Sequence, residues 1–161
     1  MIVVRLADSN DTSFLEEMLE AALQWNPGRP PLSAATVGAP ENRRYVEGWP
    51  RAGDLGVVAV DDVDQRLVGA AWLRYFSENA PGYGFIDASI PEISIAVVPD
   101  HRGHGVGDRL LTELERHARE RGITALSLST EDGNPSVRLY ERHGYRRVRC
   151  SGGSSTMRLD L

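Results

Sequence analysis

Residues 98–108 read Val-Pro-Asp-His-Arg-Gly-His-Gly-Val-Gly-Asp. The stretch lies between an apolar run (Ile93, Ile95, Ala96, Val97, Val98) and an amphipathic segment opening near Gly107. A glycine-rich turn joining a strand to a helix is a place for an anion. The first N–H groups of a helix have no intrahelical partner, and the helix dipole favours negative charge there. Gly103, Gly105 and Gly107 remove the Cβ atoms that would hold an anion away. The segment is a candidate cradle for a pyrophosphate. Its donors would be the backbone N–H groups of Gly103, His104, Gly105, Val106, Gly107 and Asp108, with Arg102 adding positive charge.

The details separate three kinds of phosphate loop. A P-loop needs Lys followed by Ser or Thr, and this chain has no lysine, all 18 of its basic residues being arginine. The dinucleotide fingerprint needs G-x-G-x-x-G, whereas the spacing here is G-x-G-x-G. R-x-x-G-x-G is met by Arg102, Gly105 and Gly107, after a strand ending in Val-Pro. That pattern resembles the coenzyme A-binding motif of the GNAT N-acetyltransferase superfamily. Farther on comes Asn134-Pro-Ser-Val-Arg-Leu-Tyr140-Glu-Arg-His-Gly144-Tyr145. It resembles the second GNAT signature, in which an Asn opens a short helix carrying a Leu-Tyr pair and Gly-Tyr enters the next strand. The two motifs stand in the family's order and cover about residues 92–150; the first 90 residues fit only in the order of their elements.

The resemblance implies acetyl-CoA as cosubstrate and transfer of its acetyl group to a primary amine by direct attack. A covalent route has no support, because there is no lysine, no G-x-S-x-G elbow and no His near Cys150 in sequence. The amine must be neutral to attack. At pH 7 that costs about 4.6 kcal/mol for an alkylamine of pKa about 10.4, and about 1.4 kcal/mol for an α-amino group. A general base therefore matters most for the first class. Glu92, at the start of the fourth strand, is the candidate base, with Asp87 in reserve. Glu92 stands three residues before Ile95, where the common family spacing is four. A one-residue slip turns a strand side chain to the other face unless a bulge restores it. Tyr140 is the candidate acid for the leaving thiolate. By resemblance, Ile95, Ala96 and Val97 offer backbone groups to the pantetheine arm, the Val97 N–H faces the thioester carbonyl, and Asn134 touches the arm or the phosphates. An acidic Asp108 beside a pyrophosphate suits the first helical turn only with its side chain turned away. The competing reading is a catalytically inactive CoA-binding sensor or interaction module, supported by the Glu92 spacing. A nucleotide-binding regulator is the third.

The acceptor is set by residues 26–50 and 77–91, and Trp25, Tyr45, Trp49, Tyr83 and Phe85 are candidate walls of its pocket. Polyamine-like, amino acid, antibiotic and peptide amines remain open, as does, by resemblance alone, a homodimer. His101 and His104 lack zinc-type spacing, and no metal is expected. His117 and His143 read as structural or exposed.

Length and composition agree with one domain over 1–161, which the resemblance implies is an N-acetyltransferase domain. Hydrophobic residues make up 41% and charged residues 25%, ordinary for a globular chain. No apolar run is long enough for a membrane span, and Met-Ile-Val-Val-Arg opens as a strand rather than a signal peptide. One cysteine, Cys150, excludes an internal disulfide framework and fits a cytoplasmic location; its strand-like setting predicts burial as a small hydrophobe. The net charge is −5. Residues 1–100 carry 7 Arg against 15 acidic groups and residues 101–161 carry 11 against 8. No long-range field for nucleic acid is expected; the split suits one half holding an anionic cofactor and one receiving a cationic amine.

Periodicity gives the elements that must position these groups. Strands are expected at 2–6, 55–60, 67–75, about 92–98, 123–129, 145–150 and 155–161, and helices after capping groups at Asp8 to Asp11 and a Ser13–Glu16 capping box, over 40–48, 107–120 and 135–143. Residues 26–39 read as a loop, and 77–91 as a long connection or a hairpin insert. The fold class is α/β: a mixed, mostly antiparallel sheet of about seven strands flanked by about four helices. Its fourth strand, third helix and fifth strand should form a right-handed parallel unit.

Overall fold

A computed structural model describes residues 1–161. Seven strands form one sheet in the order β1-β2-β3-β4-β5-β7-β6. They are β1 (Ile2–Leu6), β2 (Leu55–Asp61), β3 (Arg66–Arg74), β4 (Glu92–Val97), β5 (Ala125–Glu131), β6 (Arg146–Ser151) and β7 (Ser154–Asp160). Every neighbouring pair is antiparallel except β4–β5, which is parallel, as expected of the strand–helix–strand unit. The helices are α1 (Thr12–Leu23), α2 (Ala34–Val37), α3 (Pro40–Arg43), α4 (Val106–Glu120) and α5 (Val137–Arg142), with 3₁₀ turns at 9–11 and 99–101.

Local chemistry explains most boundaries. The cap before α1 lies one turn earlier than Ser13: Asp8 and Asp11 form the capping box, and Arg5 grips the buried Asp11 carboxylate at 2.9 and 3.0 Å. The 26–39 stretch contains the single turn of α2, started by the Ser33 side chain accepting from Thr36 N–H. Helix 40–48 shortens to α3 followed by turns. In α4, Leu110, Leu111, Leu114 and Ala118 recur at helical spacing and are buried on β2 and β3, and Gly122 follows its end at φ +77°. α5 begins two residues later than its Pro135, because the Asn134 side-chain Oδ1 accepts from Ser136 N–H at 2.9 Å and forms a turn before the helix.

The β3–β4 ladder runs from Arg74–Glu92 to Gly69–Val97 in unbroken register, with no bulge. It fixes two sides. Gly69 lets Leu110 of α4 approach the sheet beside Val97, and a Cβ there would stand 3.0 Å from Leu110. On the opposite side, with Trp72 and Glu92, lie α1 and the 40–50 segment; Trp49 packs on Gly56 and the Trp72 indole donates to the Tyr45 carbonyl at 2.9 Å. Cys150 corrects the expectation of burial. It is exposed on β6, the last strand of the sheet, which no layer covers.

Between β4 and β5 the sheet opens. Their only register pair is Glu92–Ser127, supported by Ser127 N–H to Pro91 C=O at 3.0 Å. Val98 N–H bonds to Val68 C=O at 2.9 Å, so even-numbered β4 residues make the β3 hydrogen bonds. The N–H and C=O groups of Ile95 and Val97 therefore point into the gap.

Candidate active site

Two cavities meet at this gap, both lined by Ala22 and Ile95. The first, about 440 Å³, is a groove running past Ile95, Ala96 and Val97 to the start of α4. Arg102, Gly103, Gly105, Val106, Gly107, Asp108 and Asn134 line it, so of the expected cradle only His104 is missing, its side chain being exposed. Gly103 and Gly105 have φ of +76° and +81°, a conformation that side chains resist. Gly105 is the N-cap of α4 and carries no side-chain cap. The first N–H groups of α4 are thus without a side-chain partner and open to the groove. Arg102 donates through Nε to Val97 C=O at 2.9 Å, which holds its guanidinium beside the groove. The residues present fit a diphosphate.

The second cavity, about 430 Å³, is lined by Glu92, Tyr140, Tyr45, Tyr83, Asn42 and Glu131 among others. Glu92 is 3% exposed. Its carboxylate accepts from the Tyr45 hydroxyl and, at 3.0 Å, from Gly84 N–H. Burial pushes its pKa up to about 7, with the two hydrogen bonds pulling the other way. Burial likewise raises the Tyr45 phenol well above its ordinary value, with the Glu92 charge adding to the effect. Tyr140 is also buried, which pushes its phenol up to about 12 against a smaller opposing effect of Ser136. The phenol stays protonated across the physiological range.

Asp87 is exposed, tied to Ser89, and does not line the cavity. Among the expected acceptor walls, Tyr45 and Tyr83 face the cavity, and Trp25 lines the neighbouring groove. Trp49 is in the core, donating to Asp8 C=O at 3.2 Å, and Phe85 packs against the core outside the cavity.

Three features escaped the reading of residues 77–91 as a loop or hairpin. Tyr45 accepts from Tyr83 N–H at 2.6 Å while donating to Glu92, so one hydroxyl joins the carboxylate to the Gly82–Gly84 turn. Gly82 presses against the carboxylate: a Cβ there would run into Glu92 and stand 2.8 Å from the Tyr45 oxygen. Gly84 lies against β5, where a Cβ would come within 2.6 Å of the Leu128 backbone. Separately, Glu131 at the end of β5 accepts from Trp25 Nε1 at 3.1 Å and Arg29 at 2.9 Å, joining the segment after α1 to the rim. No group of three or more His, Cys, Asp or Glu side chains is arranged to hold a metal ion, and no helix is long and apolar enough to cross a membrane.

Comparison with known proteins agrees with this geometry. The profile of the Acetyltransferase (GNAT) family matches residues 15–145. A mycothiol acetyltransferase of Propionibacterium freudenreichii is 33% identical over 124 residues, 76% of this chain and 37% of that protein. The chain spans between 24% and 39% of the length of the curated relatives it matches. A ribosomal-protein-alanine N-acetyltransferase from Brucella melitensis is 25% identical with a TM-score of 0.69, covering 99% of both chains. The paia N-acetyltransferase of Thermoplasma acidophilum, solved in complex with coenzyme A, is 18% identical with a TM-score of 0.73, covering 100% of this chain and 99% of that one; this likeness is one of fold.

Proposed function

The chain belongs to the acetyltransferase (GNAT) family, and from that premise we propose that it transfers an acetyl group from acetyl-CoA to a primary amine by direct attack. The observation that carries the proposal is the meeting of two cavities at Ile95. One ends on the uncapped start of α4 and the other holds a buried carboxylate with a pKa of about 7.

Acetyl-CoA would supply a thioester, an acyl donor with a thiolate leaving group. Gly103–Asp108 and Arg102 would hold its diphosphate, and Ile95 and Val97 would pair with its pantetheine arm along the open side of β4. The Val97 N–H is the candidate donor to the carbonyl oxygen. Glu92 takes the first proton from the acceptor ammonium, leaving the nitrogen lone pair free to attack. A base of pKa about 7 does this for an α-amino group across about one pK unit, and for an alkylamine across more than three. As the C–N bond forms and the C–S bond breaks, the nitrogen gives up a second proton and the sulfur receives one. Tyr140 is the hydrogen-bond donor at the sulfur. With its phenol at about 12 and a thiol near about 8.5, outright transfer to the thiolate runs uphill by roughly three pK units. The phenol therefore steadies the thiolate rather than acidifying it alone. The second cavity is of the size that takes small molecules, which favours a small amine or a peptide end as acceptor.

Calorimetry with acetyl-CoA, followed by a thiol-release assay over a panel of amines, tests the reading. Binding with CoA released in the presence of at least one amine supports it. Binding with no release for any acceptor would make the protein a CoA-binding module. No binding at all would remove the groove assignment.

Two substitutions sharpen the test. Tyr140→Phe keeps the ring packing and removes the donor, and kcat is expected to fall by about 10- to 100-fold with the acetyl-CoA Kd unchanged, the loss of one charge-assisted hydrogen bond. Gly82→Ala forces the Glu92 carboxylate aside; a displacement on the order of 1 Å costs about 10²-fold in kcat. Steady-state thiol release measures both, and full activity in either variant removes that residue from the mechanism.

A further inference from the structure

Asp108 is an anion where an anion is unwelcome. It sits in the first turn of α4 and lines the groove assigned to the diphosphate. It is answered by His143, the residue closing α5, 35 positions along the chain. His143 Nε2 lies 2.7 Å from Asp108 Oδ1, and Nδ1 lies 3.0 Å from both oxygens of Glu115, two turns farther along α4. The ring is 9% exposed and Glu115 is 7% exposed.

Ionised carboxylates only accept hydrogen bonds. Two such contacts on one imidazole require hydrogen on both nitrogens, which is the charged ring. A neutral ring would set a bare lone pair against one carboxylate. The other groups around this cluster are Arg119 of α4, and Tyr140 of α5 and Tyr145, whose phenols are held neutral by burial; Arg142 and His101 also line the groove, His101 beside Asp100 and Asp61. Burial of the ring opposes its charge, but the hydrogen bonds to Glu115 and Asp108 prevail and raise His143 above the ordinary imidazole value. Burial also raises Glu115, so Glu115 and His143 titrate as a coupled pair.

We propose that His143 is a positioning residue for cofactor binding. In its charged form it cancels Asp108 and clamps the mouth of α4 to the helix that carries Tyr140, and affinity for the diphosphate falls as the ring loses its proton. The inference rests on the reading of the groove as a CoA site. The sign follows from the raised value: the clamp is complete below about pH 6.5 and is lost as pH rises through the folded-state value, leaving Asp108 uncompensated beside the diphosphate.

Dephospho-CoA is the suitable probe, because it keeps the diphosphate and lacks the phosphomonoester that itself titrates near about pH 6. Its Kd for the full chain is measured by calorimetry between pH 6 and 9. For the native sequence Kd should rise about 5- to 10-fold over that range, the scale of one unit charge acting at short range in a partly solvated site. His143→Gln should bind more weakly at pH 6 and lose most of the slope, the remainder belonging to His101, which lines the same groove. Asp108→Asn should bind tightly at every pH, and the Asp108→Asn/His143→Gln pair should recover most of the affinity that His143→Gln loses. Circular dichroism checks that each variant is folded, and Asp108→Asn alone decides the question if His143→Gln is not. A native slope that persists undiminished in Asp108→Asn, or a flat native profile, overturns the role of His143. Absence of dephospho-CoA binding at every pH overturns the groove assignment beneath it.

Discussion

Glu92→Gln is expected to lower kcat/KM by about 10²- to 10⁴-fold, the usual range for removing a general base. The loss should be greatest for alkylamine acceptors, which enter the site almost wholly protonated at neutral pH. The native rate should climb with pH and level off above about 7, where Glu92 is ionised; the variant should lack that limb. A folding measurement gives an independent readout. A carboxyl raised by burial from 4.5 to about 7 contributes stability that is whole below 4.5 and is lost as pH rises toward 7. The native protein should therefore weaken over this window by about 3 kcal/mol more than the variant does. Urea unfolding at pH 4.5 and pH 8 measures the difference. Equal pH slopes in the two proteins, or a variant as active as the native chain, would remove Glu92 as the base.

Asp54→Ala is expected to destabilise the fold by about 3–5 kcal/mol, because it strands a buried guanidinium. Arg74 and Asp54 are 1% and 2% exposed in their side chains and form a two-pronged pair at 3.0 and 2.7 Å. The remaining arm of Arg74 donates to the carbonyls of Arg44 and Glu47 at 3.0 and 2.6 Å. Those carbonyls flank Tyr45, so the pair also sets the hydroxyl that holds Glu92. A urea midpoint that drops with an unchanged m-value identifies a stability loss. At denaturant-free conditions the surviving folded fraction should still show reduced turnover. A midpoint shift under about 1 kcal/mol would mean that water reaches Arg74 and that the pair is less isolated than its burial indicates.

The glycine turn before α4 was legible in sequence because its geometry is local. Glycines at 103 and 105 dictate the backbone, and the backbone leaves the start of α4 uncapped. The strands were legible for the same reason, since alternation and turn residues act over a few positions. The surroundings of Glu92 were not. Tyr45 and Gly82 reach it from segments that read as a short helix and a loop, and Gly82 matters only for how close another chain segment comes. The spacing that cast doubt on Glu92 compared it with a family pattern along the chain. Its position in space follows instead from an unbroken ladder with β3 and from the side of the sheet on which Tyr45 packs. His143 read as an ordinary helix-end histidine because its partners lie 28 and 35 residues away. Cys150 was misjudged because strand character says nothing about whether a second layer covers the strand.

The parting of β4 from β5 gives the molecule an edge strand in its interior. Edge strands are ordinarily exposed at a sheet's rim, where they recruit stray peptides and must be blunted by charges or prolines. Here the unpaired row is half-buried beside the groove, and Arg102 already meets its Val97 carbonyl, so the groups left bare are the two N–H groups and the Ile95 carbonyl. Under the proposed function it would take a ligand that imitates a peptide: a narrow arm with amides at strand-like intervals. Once seated, such an arm would knit the two half-sheets together, and the protein should melt at a higher temperature the more of that ligand is present.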